Sequence, residues 1–73
     1  MESHALDPSL PGVRQLQDWI RERTPLQLQL IDGTALGGCL YWQDPEFLAL
    51  KTSPEAPLLL MGRRAVALIR PLG

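Results

Sequence analysis

Arginine residues are the side chains of this sequence best suited to bind another molecule. Arg63 and Arg64 are adjacent, and Arg14, Arg21 and Arg23 lie in one segment nearer the amino terminus. A guanidinium group can bind phosphate or stack on a base. These residues also have ordinary structural interpretations, because charged pairs are common at strand turns and arginines near a helix end stabilise the helix dipole. Both interpretations are open at this point.

Other residues capable of chemistry are few and isolated. Cys39 is the only cysteine and lies in a predicted strand without a basic neighbour, while the single histidine, His4, lies in the polar opening segment. The sequence contains no phosphate-binding loop and no Cys/His spacing typical of a metal site. We therefore expect no catalytic residues, no cofactor and no metal ion.

The size of the chain favours self-association. A monomer of 73 residues buries too little surface to be comfortably stable alone. A single cysteine excludes an intrachain disulfide, and the hydrophobic content of 45% leaves apolar surface for neighbouring subunits. We therefore expect a homo-oligomer of a one-domain protein.

One helix is expected to precede the strands. Pro11 suits the first turn of a helix, and Val13, Leu16 and Ile20 recur on one helical face. Thr24-Pro25 ends this helix, because the residue before a proline is pushed out of the helical region.

The rest of the chain is predicted to form five strands. Residues 26–30 alternate leucine with glutamine, which indicates a strand with one buried face. Asp32-Gly33 predicts a two-residue hairpin loop, after which strand two runs from Thr34 to about Trp42. Gly37-Gly38 predicts a strong bend or a bulge in that strand. The remaining strands are predicted at 47–51, 58–61 and 65–69, after a turn at 44–46 and a loop at 52–57.

This order of elements and motifs resembles the Sm and Sm-like superfamily, and most closely its bacterial branch, the Hfq (host factor Q) proteins. Gly33, Gly38 and Asp44 have the spacing of the first Sm motif, and residues 61–66 (Met-Gly-Arg-Arg-Ala-Val) stand where Hfq carries its second. Residues 13–25 look like the amino-terminal helix of Hfq with its basic end. The divergent second motif is most similar to cyanobacterial Hfq-type proteins. The resemblance implies an Sm-like fold at residues 10–73, with a helix, a strongly bent antiparallel five-stranded sheet or open barrel, and assembly into a ring.

The resemblance also implies which residues bind RNA. Phe47, Arg63 and Arg64 stand at the places of the proximal site near the pore of an Hfq ring, which holds uridine-rich RNA. Arg21 and Arg23 match two of the rim arginines with which Hfq contacts RNA, whereas Ile20 replaces another. Arg14 lies on the same helix, and these three arginines are expected to form a weaker rim site. The implied function is that of a homohexameric RNA chaperone acting in post-transcriptional regulation.

Several substitutions relative to Hfq favour weakened RNA binding. Gly12 and Pro45 replace the glutamines beside the proximal site, Gln29 replaces the aromatic residue of the distal adenine-binding face, and Gly62 replaces the tyrosine of the second motif. Seven basic and eight acidic residues produce a net charge of −1. RNA affinity usually comes from neutralisation of the phosphates by basic residues, so this net charge also favours weak binding.

The alternative is a protein-interaction ring with little RNA affinity, linked to type IV pilus function as in cyanobacterial relatives. Its candidate partner contacts are the aromatic residues Trp19, Tyr41 and Trp42.

Residues 1–9 are expected to form a mobile tail in which His4 is solvated. The opening residues lack the features of a signal peptide, and no stretch approaches the length of a membrane span, so a cytoplasmic location is expected.

Overall fold

The computed structural model describes Asp7 and residues 9–72, which form one α-helix and five β-strands. The expected mainly-β fold with a preceding helix is confirmed. Most of the predicted tail, including His4, lies outside the described residues. The elements are α1 (Pro11–Glu22), β1 (Leu26–Leu30), β2 (Ala35–Gln43), β3 (Phe47–Lys51), β4 (Leu59–Gly62) and β5 (Val66–Pro71), with a single 3₁₀ turn (Arg63–Ala65) between β4 and β5.

Helix α1 begins at the predicted proline and packs its apolar face on the sheet. Val13 is buried, and Leu16, Trp19 and Ile20 pack against the core. The helix ends one residue before Arg23, which has a left-handed backbone (φ 53°) and donates its N–H to Ile20 O at 3.3 Å. The helix was expected to end at Thr24-Pro25, which would make Arg23 helical; Arg23 instead forms the C-cap. Within the described residues, no helix has the length and apolar content needed to cross a bilayer.

The five strands form one antiparallel, unclosed sheet in the order β4-β3-β2-β1-β5. Strand β2 joins its two halves, because residues 35–38 pair with β1 and residues 39–43 pair with β3. The change of partner occurs at the predicted glycine pair. The irregularity in strand pairing lies further along, between Leu40 and Trp42.

Gly38 is required where the two halves of the sheet meet. A Cβ atom at this position would overlap the carbonyl oxygen of Lys51 and lie 2.9 Å from Thr52 Cα. Gly37 is less constrained, since a Cβ there would meet the Leu72 side chain at 3.7 Å, an ordinary contact. Only the second glycine of the pair therefore allows the close approach of β2 to the end of β3.

The hairpin between β1 and β2 differs from the prediction. Leu30 N–H donates to Thr34 O at 2.7 Å and Gly33 N–H donates to Leu30 O at 2.9 Å, so the loop contains three residues, 31–33. The expected two-residue type I′ turn needs positive φ at both central residues. Within this loop, only Gly33 has a positive φ, at +93°. The Asp32 carboxylate accepts the Thr34 backbone N–H at 2.9 Å, which lowers the pKa of Asp32.

The core is small and lies between α1 and the concave sheet. Its buried cluster consists of Leu26, Leu28, Leu40, Leu48, Leu50 and Met61. In contrast, the two outer strands expose large apolar side chains, with Leu59 and Leu60 on β4 and Leu68 on β5. Exposed apolar side chains on unpaired strand edges are the feature expected of a subunit that associates with copies of itself.

Candidate nucleic-acid interface

A tight turn between β2 and β3 positions Phe47. The Asp44 carboxylate accepts the backbone N–H groups of Glu46 at 2.8 Å and Phe47 at 2.7 Å, and Asp44 N–H donates to Phe47 O at 3.0 Å. Short polar residues such as aspartate favour turns because they satisfy backbone donors in this way. Asp44 was predicted as part of a turn, and its carboxylate also sets the first residue of β3.

The pairing of β3 with β4 brings the three predicted proximal-site residues together. Phe47 lies opposite Gly62, and Arg63 and Arg64 follow Gly62 directly in the 3₁₀ turn. Phe47 retains 42% of its surface exposed, so it is not a core residue. An exposed aromatic ring thus lies beside two guanidinium-bearing residues.

The two arginines have different surroundings. Arg63 is half-buried, donates from its Nη1 to Asp44 O at 3.2 Å, and donates its backbone N–H to Glu46 O at 2.9 Å. Arg63 therefore ties the 3₁₀ turn to the turn that holds Phe47. Arg64 is exposed and makes no ion pair with any described residue. Its guanidinium is the one free to bind a ligand.

No carboxylate among the described residues forms an ion pair with this cluster. Among residues 7 and 9–72, the single ion pair joins Arg21 to Asp18 at 2.6 Å, so neither Asp44 nor Glu46 pairs with Arg63 or Arg64. The positive charge of the 3₁₀ turn remains available to an anionic ligand.

The predicted rim residues lie on or just after α1, and their environments also differ. Arg14 is exposed, and Arg21 is exposed but paired with Asp18. Exposed ion pairs of this kind contribute little stability, so Arg21 can exchange partners at small cost. Arg23 donates to Ile20 O at 2.8 Å and Leu40 O at 3.3 Å, and its guanidinium lies 3.9 Å from the centroid of the Tyr41 ring. Through these contacts, Arg23 links the end of α1 to β2.

The three aromatic residues predicted as partner contacts also differ in their exposure and surroundings. Trp19 packs against the core, whereas Trp42 is 40% exposed on β2. Tyr41 is half-buried, with both Arg23 and Lys51 over its ring. The role of Tyr41 as an anchor for two cations had no signal in the sequence, because it depends on the meeting of α1, β2 and β3.

Comparison with known families establishes the relationship that these motifs indicated. The family described as Hfq related matches residues 10–71, which is nearly the whole chain. The chain belongs to the Hfq-related family. The match includes the helix, all five strands and every residue of the proximal and rim candidates.

Solved structures agree with this assignment of the chain to the Hfq-related family. The chain is similar to an Hfq protein from Anabaena sp., with 31% identity and a TM-score of 0.73, over 85% of this chain and 97% of the other. It is also similar in fold to the pleiotropic translational regulator Hfq, with 14% identity and a TM-score of 0.73, over 80% of this chain and 93% of the other. No curated protein sequence matches the chain.

Asp44 provides a test of how this Hfq-related chain holds Phe47. The Asp44→Ala variant leaves the backbone N–H groups of Glu46 and Phe47 without their carboxylate acceptor. We expect a loss of about 1–2 kcal/mol in the free energy of unfolding, the usual effect of losing a capping carboxylate. Urea unfolding measured by tryptophan fluorescence would show it. Glu46→Ala is the control, since the Glu46 side chain makes no hydrogen bond with the described residues, and an equal loss in both variants would contradict the assigned role of Asp44.

Proposed function

We propose that this Hfq-related protein is an RNA-binding post-transcriptional regulator that assembles as a homohexameric ring. Uridine-rich RNA binds near the pore, with bases stacked on Phe47 and phosphates held by Arg64. Arg63 holds the turn in place and adds positive charge. The observation that supports the proposal is the exposed Phe47 ring opposite Gly62, with Arg64 exposed two residues further on and in no ion pair with a described residue.

The open sheet supports the ring. Strands β4 and β5 are the two outer strands, and both expose leucines. Strand β4 of one subunit can add to β5 of the next, and repetition of one such heterologous contact closes a ring when the rotation permits. Closure repeats the Phe47 and Arg64 pair once per subunit around the axis. Six subunits are implied by the resemblance to Hfq.

Affinity for RNA is expected to be modest. The net charge of −1 supplies little long-range attraction, and RNA affinity rests largely on phosphate neutralisation. Ring symmetry concentrates the Arg63 and Arg64 charges at one place, which raises the local potential in spite of the neutral total.

The RNA-binding proposal is tested by fluorescence anisotropy with labelled oligo-U and oligo-A at near-physiological salt. We expect the protein to prefer oligo-U and the Arg64→Ala variant to bind it about tenfold more weakly or worse, because each subunit loses a charge-assisted contact. Arg64→Lys should retain part of the affinity, since lysine binds phosphate as a point charge but stacks poorly. The salt dependence of binding should also become shallower in Arg64→Ala.

Arg70→Ala is the matched control for the Arg64→Ala variant. Arg70 is an exposed arginine on β5 that bonds to Gln27, so its loss changes the net charge equally outside the proposed site. Equal weakening by Arg70→Ala and Arg64→Ala would show that binding follows net charge alone and would contradict the proximal site.

A protein-interaction ring linked to type IV pilus function is the second candidate. It is favoured by the exposed Trp42 on β2 and by Gln29, which lies exposed on β1 where Hfq has its stacking aromatic residue. An intact ring that binds neither oligo-U nor oligo-A in the anisotropy experiment would favour this candidate over the first.

A further inference from the structure

A groove of about 400 Å³ lies where the middle of β2, the loop after β3 and the segments flanking β1 and β5 meet. Its walls are mostly apolar, with Pro25, Tyr41, Pro54 and Leu72 among them, and Gly37 and Gly38 form part of its floor. This volume is within the range of about 300–1,000 Å³ typical of ligand pockets.

The groove carries positive charge at one end. Among the described residues, Lys51 is the one charged side chain that lines it, and its Nζ lies 5.2 Å from the centroid of the Tyr41 ring. Arg23 places a second cation 3.9 Å from the same centroid. Within the described part of the chain, neither Lys51 nor Arg23 makes an ion pair. An apolar groove with the Lys51 ammonium in its lining is complementary to an apolar side chain next to a carboxylate.

The groove is separate from the proximal RNA-binding candidates and from the outer strands β4 and β5. None of Phe47, Arg63 and Arg64 lines it, and no described lining residue lies within β4 or β5. The strand pairing proposed for the ring therefore does not use the groove residues.

We propose that this groove binds a short extended segment of a partner protein in which an acidic residue adjoins a large apolar residue. The apolar side chain packs between Pro25, Pro54 and Leu72, and the carboxylate accepts a hydrogen bond from the Lys51 ammonium. A peptide suits the groove better than RNA does, because Arg23 already covers the Tyr41 ring that a base would use for stacking. The proposal is independent of RNA binding.

Two capped peptides test the proposal by ¹⁵N NMR titration of the assembled protein. The probe is acetyl-Gly-Glu-Leu-Asp-Leu-Gly-amide, and its uncharged match is acetyl-Gly-Gln-Leu-Asn-Leu-Gly-amide. We expect the acidic probe to shift the backbone amide signals of Gly38, Tyr41, Thr52 and Leu72. The uncharged match should bind about tenfold more weakly, because it lacks the charge-assisted contact with Lys51.

Variants locate the interaction and separate it from RNA binding. Lys51→Met should weaken the acidic probe about tenfold, whereas Lys51→Arg should stay within about threefold of the wild type. Arg64→Met is the charge-matched control and should bind the probe normally, while Lys51→Met should keep its oligo-U affinity. Failure of the RNA proposal would therefore leave the peptide result unchanged, and the reverse also holds.

Three results would overturn the proposal. Equal binding of the uncharged and the acidic peptide would show that Lys51 makes no charge-assisted contact with the peptide. The shifted signals could lie away from the groove. Oligo-U could shift the same groove signals and displace the peptide, which would assign the surface to RNA.

Discussion

The Gly38→Ala variant is expected to be strongly destabilised, and more so than alanine at the other described glycines. The added Cβ would overlap the Lys51 carbonyl oxygen and approach the Lys51 carbon and Thr52 Cα at 2.9 Å. These are backbone atoms, so no side-chain rotation relieves the overlap, and β2 must separate from the end of β3. We expect a loss of about 3 kcal/mol, at the upper end of overpacking effects. For a domain of this size, that corresponds to a melting temperature lower by about 12–24 °C, measured by circular dichroism.

Gly37→Ala is the matched control for Gly38→Ala. The same methyl group at the neighbouring glycine meets the Leu72 side chain at 3.7 Å and the Leu26 carbonyl oxygen at 3.8 Å, which are ordinary contacts. Its melting temperature should stay within a few degrees of the wild type, since an alanine that fits also restricts the unfolded chain. Both variants must be compared at equal protein concentration, because association stabilises the folded state. Equal stability of the two variants would contradict the close approach at Gly38.

The Leu60→Asp variant is expected to dissociate the assembly into monomers. Leu60 lies on the outer strand β4 and is 55% exposed in the isolated subunit. In the proposed ring it faces the β5 edge of the next subunit, where β5 exposes Leu68. A carboxylate buried there without a partner costs several kcal/mol at each interface, and the cost recurs at every interface of the ring. Sedimentation should show the wild type at a multiple of the 8.1 kDa subunit mass and the variant at the subunit mass.

Ile31→Asp tests whether the effect belongs to the sheet edge. Ile31 is 73% exposed in the β1–β2 hairpin, so the same apolar-to-acid change occurs on a surface outside β4 and β5. This variant should sediment as the wild type does. A wild-type protein that sediments as a monomer would contradict the ring itself, and an Ile31→Asp monomer would show that the subunits associate through another surface.

The sequence alone determined the fold and the positions of most elements. Alternating leucines marked β1, Pro11 and Pro25 marked the limits of α1, and the Gly33, Gly38 and Asp44 spacing carried the resemblance to Hfq. These signals are local, since each depends on the conformations that one residue type allows or on the period of a single strand. The length of the hairpin loop was the exception. The loop length depends on which residues take positive φ, and an Asp-Gly pair is compatible with more than one loop length.

Only the tertiary structure decided which charged side chains are free. Arg23, Arg63 and Arg64 look alike in the sequence, yet Arg23 is held by the Leu40 carbonyl and the Tyr41 ring, and Arg63 is held by the Asp44 carbonyl. Arg64 alone of these three remains without such a contact among the described residues. Residues separated by 17 or more positions along the chain supply the holding contacts with Leu40 and Asp44. Two tertiary contacts therefore decide which of these arginines can bind a ligand: that of α1 with β2, and that of the 44–47 turn with the 3₁₀ turn. Residue types and their spacing could not predict this, because both contacts join segments that are distant in the sequence.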